Sequence, residues 1–198
     1  FHTDAAQAFG YLDLDPDRLN IDFISLSAHK IYGPKGIGAL IIREGCPIDP
    51  LQYGGSQELG LRSGTLPVPL IIGFAKAVEI TKNDQDSRNK RLLFLRNLLI
   101  NGLKNNISGL IINGSLDKRL PHNLNITFSN INGNRLHSEL RRFIFCTSGS
   151  ACSNGRPSHV LQEIGLTIKE AESSIRMSIG RTTNERDIQK AVEIITNI

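Results

Sequence analysis

The order of apolar and polar segments along the chain predicts a mixed α/β fold. A short apolar, β-prone run, Phe23–Ser27, and a second run at residues 37–42 predict two buried strands on either side of a loop rich in glycine and proline. Residues 70–81 and 88–105 carry apolar side chains at helical spacing and predict two amphipathic helices, with the polar stretch 82–87 as the break between them. The second helix carries a leucine stripe that predicts core packing: Leu92, Leu95, Leu99 and Leu103.

The C-terminal half alternates between shorter strands and helices, which predicts a small α+β domain. Strands are predicted at residues 110–112, 123–128, 144–147 and 174–181. Helices are predicted at residues 135–142, 157–164, 168–173 and 184–198, the last with Asn184 as its cap. We therefore predict two domains, residues 1–84 and residues 85–198, divided near the polar stretch.

Composition narrows the class of protein. The chain has 198 residues, of which 39% are hydrophobic and 21% charged, as is typical of a globular protein. Its net charge of +4 is spread along the chain in mixed signs, so a nucleic-acid partner is not indicated. No apolar run reaches the length of a membrane span. The three cysteines, Cys46, Cys146 and Cys152, lack the spacing of a zinc site or a disulfide framework, which favours no metal and a reducing, cytoplasmic location.

A lysine stands at the tip of the first predicted strand of this α/β half. Lys30 follows Ser27, Ala28 and His29, and the cluster of Gly33, Pro34 and Gly36 after it forces a rigid loop. A lysine that holds a carbonyl as a Schiff base needs its amine to be desolvated and aimed, which this setting favours. An exposed loop lysine is the alternative at this point.

An acidic residue near the start of the chain adds to this interpretation. Asp4 ends a short strand-like segment, and Gln7 follows in the next turn. A lysine-bound pyridoxal phosphate needs an acidic partner for its pyridinium nitrogen, so Asp4 is a candidate for that partner and Gln7 for the ring oxygen. Because such residues stand so close to Phe1, we expect the chain to be a fragment of a longer protein.

The most reactive segment predicted from the sequence surrounds Cys152. Small residues and glycines flank this cysteine on both sides in residues 146–155, so its thiol is expected to be exposed on a movable loop. An exposed thiol is a good nucleophile and sulfur carrier. By contrast, Cys146 is interpreted as a small buried hydrophobe and Cys46 as incidental.

Two further segments offer anion-binding groups. Arg62, Ser63 and Thr65 bring together donors suited to a phosphate, with a plain glycine-rich linker as the alternative. Arg176 lies in the strand predicted at residues 174–181, where its guanidinium fork can bind a carboxylate. The sequence alone favours a structural, salt-bridged arginine at that position.

The motifs Asp-Ala-Ala-Gln at residues 4–7, Ser-Ala-His-Lys at 27–30 and Ser-Gly-Ser-Ala-Cys at 148–152 resemble those of the cysteine desulfurases. These are fold-type-I pyridoxal-phosphate enzymes of the class-V aminotransferase group, here of the type with the longer cysteine loop. The resemblance implies the C-terminal part of the large α/β domain followed by a small α+β domain. It also implies L-cysteine as substrate, L-alanine as product and a persulfide on the enzyme for iron–sulfur cluster assembly or other sulfur transfer.

The resemblance assigns roles to individual residues. Lys30 holds the pyridoxal 5'-phosphate and Asp4 contacts its ring nitrogen. The cofactor phosphate is held by side chains that include one from a partner subunit, which implies a homodimer: Ser27, His29 and, from the partner subunit, Thr65. Arg176 binds the substrate carboxylate, in place of the structural, salt-bridged role that the sequence alone favours. Cys152 takes the sulfur and passes it to an iron–sulfur scaffold or another acceptor protein.

Two alternatives remain open. One is a selenocysteine lyase or another class-V aminotransferase, although a transaminase has no use for Cys152 on a flexible loop. The other is a truncated, non-catalytic protein that only binds partners. By resemblance the N-terminal part of the family carries further cofactor contacts, so we expect the 198 residues alone to be inactive.

Overall fold

The computed structural model describes residues 1–129, 131–144 and 157–198. They divide into two units, Phe1–Gln85 and Asp86–Ile198. The predicted domains, residues 1–84 and 85–198, remain a proposal, because a unit in a structure need not fold on its own.

The first unit is built on a three-stranded sheet in the order β1-β2-β3. Strand β1 (His2–Asp4) pairs in parallel with β2 (Phe23–Ser27), and β3 (Gly38–Ile42) pairs antiparallel with β2. The short helix α1 (Pro16–Leu19) lies in the connection between β1 and β2. The two strands predicted on either side of the glycine- and proline-rich loop are therefore confirmed. The core of this unit consists mainly of small and aliphatic side chains: Ala5, Ile21, Ile24, Leu26, Ala28, Ile31, Phe74 and Ala77.

A single helix, α2 (Val68–Asn106), replaces the two helices predicted from the sequence. The prediction of a break at residues 82–87 was wrong. That stretch contains neither glycine nor proline, and polar residues such as asparagine and aspartate only weakly disfavour a helix that is packed on both sides of them. The leucine stripe is confirmed as core, because all four of its members are buried: Leu92, Leu95, Leu99 and Leu103.

The second unit is built on an antiparallel sheet in the order β4-β5-β6. Its strands are β4 (Leu110–Ile112), β5 (Asn123–Phe128) and β6 (Ser174–Ser178). Its shorter helices follow the predicted order: α3 (Gly133–Leu140), α4 (His159–Glu163), α5 (Ile168–Glu172) and α6 (Glu185–Thr196). The strand predicted at residues 144–147 falls almost entirely outside the described residues.

The start of α6 confirms the predicted cap. The Asn184 side chain accepts from the backbone amides of Arg186 and Asp187, and the Asp187 side chain accepts from the Asn184 amide in return. This reciprocal capping satisfies donors that the first helical turn leaves unpaired. Across the described ranges, no helix is both long enough and apolar enough to cross a bilayer.

Candidate active site

The sheet of the first unit brings several of the predicted site residues to one edge. Strands β1 and β2 are parallel, with Asp4 opposite Ser25, so both strands end at the same side of the sheet. Ser27 is the last residue of β2, and His29 and Lys30 follow at once in the 3₁₀ turn Ala28–Ile31. The carboxyl edge of parallel strands is where α/β sheets bind their ligands.

Backbone hydrogen bonds hold the turn that carries Lys30. The Ala28 amide donates to the Ile37 carbonyl at 3.1 Å, and the Gly33 amide donates to the Ala28 carbonyl at 2.9 Å. Tyr32 closes the turn in the left-handed region at φ 66°. A Cβ on Gly33 would stand 2.9 Å from the Ala28 oxygen, so this position requires glycine. The predicted loop after the lysine is thus confirmed, and these hydrogen bonds hold its turn.

Lys30 itself is exposed, as is His29, while Ala28 and Ile31 on either side are buried. A Schiff-base lysine was expected to have a desolvated amine, whereas the described residues leave Lys30 exposed to solvent. The reason lies in the 3₁₀ turn, which directs two of its four side chains to the core and the other two to solvent. What the fold provides is a fixed position for the lysine rather than an apolar environment.

Asp4 ends β1 with its carboxylate in a local turn. Its Oδ1 accepts from the Ala6 amide at 2.9 Å, and the Ala5 amide donates to the Ser25 carbonyl at 3.0 Å. This pairing ties the turn to β2 and keeps the carboxylate at the same sheet edge as Lys30. Gln7 is exposed in the following turn.

The loop before α2 contains the third predicted group. Ser63 donates to the Gln52 carbonyl from its hydroxyl at 3.0 Å, and Arg62 donates from Nη1 to the Ser63 carbonyl at 2.6 Å. Arg62 and Ser63 therefore use these donors inside the loop, which differs from the predicted cluster of phosphate donors. Thr65 is exposed just before the helix and remains the candidate from that cluster.

Arg176 lies in β6 of the second unit, as predicted, and its side chain is exposed. It lines a cavity of about 460 Å³ whose wall includes the polar side chains of Asn113, Asn123 and Asn125. A cavity of this size fits a small-molecule ligand. The structure thus places Arg176 at a cavity of its own unit, whereas Asp4, Ser27, His29 and Lys30 share an edge in the other.

Three polar side chains form a row across the sheet beside this cavity. Asn125 in β5 is opposite Arg176 in β6. The backbone amide of Asn113 donates to the backbone carbonyl of Asn125 at 3.0 Å, which places Asn113 beside Asn125, one residue beyond the last pair of β4 and β5. Residues opposite each other in a sheet share a face, so these side chains are neighbours. Sequence reasoning missed Asn113 and Asn125, although the period-two alternation Asn123, Asn125, Thr127 was a signal for a polar face.

Positive charge accumulates at the same cavity. Arg119 donates to the carbonyls of Ser115 and Asn113 and, at 3.2 Å, to Oδ1 of Asn123. Burial lowers the pKa of Arg119 from its ordinary value, and the positive charge of Arg96 lowers it further. An arginine stays charged in spite of such a shift, so the cavity wall is cationic.

The predicted sulfur carrier, Cys152, lies outside the described residues, as does Cys146. Cys46 is described, and its thiol donates to Oδ1 of Asp22 at 3.3 Å in a half-buried position. In the described ranges, no group of three or more acidic, histidine or cysteine side chains is arranged to hold a metal ion.

Comparisons of the chain with family models, known sequences and solved structures agree on one family. Residues 1–191 match the Aminotransferase class-V family. The chain is 47% identical over 199 residues to the cysteine desulfurase IscS of Vibrio vulnificus strain YJ016, covering 98% of the chain and 49% of that protein. It superimposes on the NifS-like protein from Rickettsia africae ESF-5 with a TM-score of 0.88 at 33% identity, covering 100% of the chain and 54% of that protein.

A third similar structure is SspA in complex with cysteine. It matches with a TM-score of 0.70 at 40% identity, covering 90% of the chain and 50% of that protein. The chain therefore spans about half the length of the relatives that it matches.

Proposed function

The chain belongs to the class-V aminotransferase family, and from that premise we propose that it acts as a pyridoxal-phosphate-dependent cysteine desulfurase. The substrate is L-cysteine, the small product is L-alanine, and the sulfur remains on the protein for transfer. One observation carries the proposal: Lys30 and Asp4 stand at the same edge of two parallel strands. The similarity to proteins named cysteine desulfurases supports the choice of substrate.

The donor set at that edge fits pyridoxal 5'-phosphate. Lys30 offers an amine, Asp4 a carboxylate, and Ser27 and His29 offer a hydroxyl and an imidazole beside the lysine. When bound, the cofactor supplies an electron sink for the chemistry of amino acids.

Each of these residues then has a separate task. Lys30 would hold the cofactor through Nζ and move protons on the substrate, while Asp4 would keep the ring nitrogen protonated. Gln7 would donate to the ring oxygen. Ser27 and His29 would hold the phosphate together with Thr65 of a second copy of the chain, so we propose a homodimer.

The second unit contributes the residues that act on the amino acid. Arg176 binds the substrate carboxylate through its guanidinium fork. The thiolate of Cys152 attacks the substrate sulfur, so that a sulfur–sulfur bond forms while the carbon–sulfur bond breaks. The carbon keeps the electron pair of the broken bond and takes up a proton, which yields alanine. The outer sulfur of the Cys152 persulfide is then transferred to an iron–sulfur scaffold or another acceptor in the cytoplasm, and the Cys152 thiolate is the leaving group.

We further propose that the 198 residues by themselves turn over little cysteine. Strand β3 has an apolar sequence, yet Leu40 is 45% and Ile41 37% exposed. An apolar edge strand of this kind is a surface for association. Lys30 is exposed as well, whereas a competent enzyme needs a closed site that excludes water.

The proposal is tested with the protein expressed from its complete gene. It should bind pyridoxal phosphate, release alanine from L-cysteine and carry one extra sulfur on Cys152 by mass spectrometry. Replacing Cys152 by serine should keep the cofactor and stop alanine release, because a serine hydroxyl is a weak nucleophile and cannot carry sulfur. Cys46→Ser is the matched control and should remain active. Absence of alanine from the wild type, or the extra sulfur on another cysteine, would contradict the proposal.

A further inference from the structure

We propose that Asn125 recognises the substrate carboxylate together with Arg176, and that a buried polar chain fixes the Asn125 amide with its NH₂ group available to the cavity. This inference rests on the proposed function and adds a specificity-determining residue to it. The chain runs from the backbone carbonyl of Glu170 through the buried side chains of Ser174, Thr127 and Asn113 to the half-buried side chain of Asn125.

The direction of the hydrogen bonds is set at one end of this chain. Ser174 Oγ donates to the backbone carbonyl of Glu170 at 2.7 Å. A carbonyl can only accept, and a hydroxyl has one proton, so Ser174 has no proton left for Thr127. The 2.7 Å contact between Ser174 Oγ and Thr127 Oγ1 must therefore be donated by Thr127.

The donor in the next hydrogen bond, between Thr127 and Asn113, follows in the same way. Because the Thr127 proton is used toward Ser174, Thr127 Oγ1 accepts from Asn113 Nδ2 at 2.8 Å, and its 3.1 Å contact with Asn113 Oδ1 is left without a proton. The second proton on Nδ2 of Asn113 is donated to Oδ1 of Asn125 at 2.6 Å. The oxygen of the Asn125 amide is thus its accepting end, and its NH₂ group is what it offers to the cavity that it lines.

Burial makes this orientation hard to reverse. Asn113 is 4% exposed, Thr127 1% and Ser174 0%. Turning the Asn125 amide over would set two NH₂ groups against each other and leave a buried donor of Asn113 unsatisfied, which is costly. Asn125 therefore has a preorganised donor, and preorganised donors gain affinity because they do not have to be ordered on binding.

The surroundings indicate an anion as the ligand of this donor. Arg176 is directly across the sheet from Asn125, and Lys118 and Arg119 line the same cavity. Among the lining residues that the structure describes there is no aspartate or glutamate. An amide NH₂ beside a guanidinium matches the two oxygens of a carboxylate, whereas it would repel an ammonium group.

The test measures binding of L-alanine, with ethylamine as the probe that lacks the carboxylate. The protein is expressed from its complete gene with ¹⁵N labelling, and the side-chain NH₂ signal of Asn125 is assigned by its loss in Asn125→Asp. L-Alanine should shift this signal and ethylamine should not. Asn125→Ala should weaken L-alanine binding about 10-fold, the scale of a charge-assisted hydrogen bond, and Asn125→Asp should weaken it more.

The matched control is Ser178→Asp, which adds the same charge to the neighbouring strand on the same face. Ser178 is exposed and does not line the cavity, so this variant should weaken L-alanine binding far less than Asn125→Asp. In kinetics, Asn125→Ala should raise the KM for L-cysteine about 10-fold with kcat nearly unchanged, as expected for an interaction made equally in ground and transition states. A merely structural role would lower stability without this separation of KM from kcat.

The outcomes separate this inference from the proposed function. If wild type releases alanine but Asn125→Ala and Asn125→Asp bind L-alanine normally, the inference is overturned and the proposed function stands. If wild type releases no alanine while the Asn125 variants still lose L-alanine binding, the proposed function fails and carboxylate recognition by Asn125 is supported. If L-alanine does not bind wild type, or binds no better than ethylamine, the inference is overturned.

Discussion

The buried histidine His122 should make the second unit lose stability in mild acid. It precedes β5 and is 7% exposed, and its carbonyl accepts from the Ile179 amide at 2.9 Å. Burial lowers the pKa of His122 from 6.5 to about 4, and the positive charge of Arg88 adds to this effect. The His122 imidazole therefore binds a proton less readily in the folded unit than in the unfolded chain.

The sign and size of the effect follow from this difference in pKa. The stability due to neutral His122 is fully present above pH 6.5 and is lost as the pH falls toward 4, because between these values the unfolded state binds more protons. The expected loss in the free energy of unfolding is about 2 kcal/mol between pH 7 and pH 5, and about 3 kcal/mol by pH 4. Such a loss is a large part of the stability of a typical domain.

The assay must report on the second unit alone. The three tyrosines, Tyr11, Tyr32 and Tyr53, all lie in the first unit, so tyrosine fluorescence is unsuitable. Native-state hydrogen exchange of the β5 amides, followed by mass spectrometry at pH 7 and pH 5, reads the unfolding free energy of the strand next to His122.

His122→Gln should remove about 2 kcal/mol of the pH dependence between pH 7 and pH 5, because glutamine does not titrate. His159→Gln, at an exposed position of α4, controls for the loss of a histidine as such. Some pH dependence of stability should persist in the variant, because burial also lowers the pKa of His137 and the positive charge of Arg141 lowers it further. An unchanged pH dependence in His122→Gln would refute the reasoning.

The remaining predictions concern the site and the isolated chain. Lys30→Ala in the protein from the complete gene should abolish the visible absorption band of bound pyridoxal phosphate, whereas Lys35→Ala, also exposed, should keep it; the opposite pattern would remove Lys30 from the site. Arg176→Lys should raise the KM for cysteine about 10- to 100-fold while the cofactor band persists, because lysine loses the bidentate contact; unchanged kinetics would leave Arg176 structural. The 198-residue chain alone should bind a hydrophobic dye and associate, because Leu40 and Ile41 are exposed; a monomeric chain that releases alanine would contradict this.

Local signals in the sequence predicted much of the fold. The apolar run of β2 and the glycines after it predicted the strand and the turn that carries Lys30. Both predictions succeed because strand propensity and turn formation depend on residues adjacent in sequence. The same holds for α6, whose cap at Asn184 needs only the residue three positions later. Arg176 was predicted in a strand for the same reason, and it lies in β6.

Features that depend on distant packing were not predictable in this way. The polar residues 82–87 look like an interruption when taken alone, yet they continue α2 because buried leucines follow them and favour the helix. The exposure of Lys30 is a second case. Whether a side chain in a short turn is covered depends on elements far along the chain, and no pattern in residues 27–36 contains that information.

The polar row of the second unit shows the same limit most clearly. The alternation in β5 predicts one polar and one apolar face, and the usual inference is that the polar face meets water. Here one end of the polar face is covered as well, since Thr127 is 1% exposed and the backbone of α5 accepts a hydrogen bond from Ser174. Once covered, these hydroxyl and amide groups must pair with one another, and their pairing leaves Asn125 with a donor facing a cationic cavity. The chemistry of that cavity therefore arises from which face of the sheet is buried, a property that alternation alone does not specify.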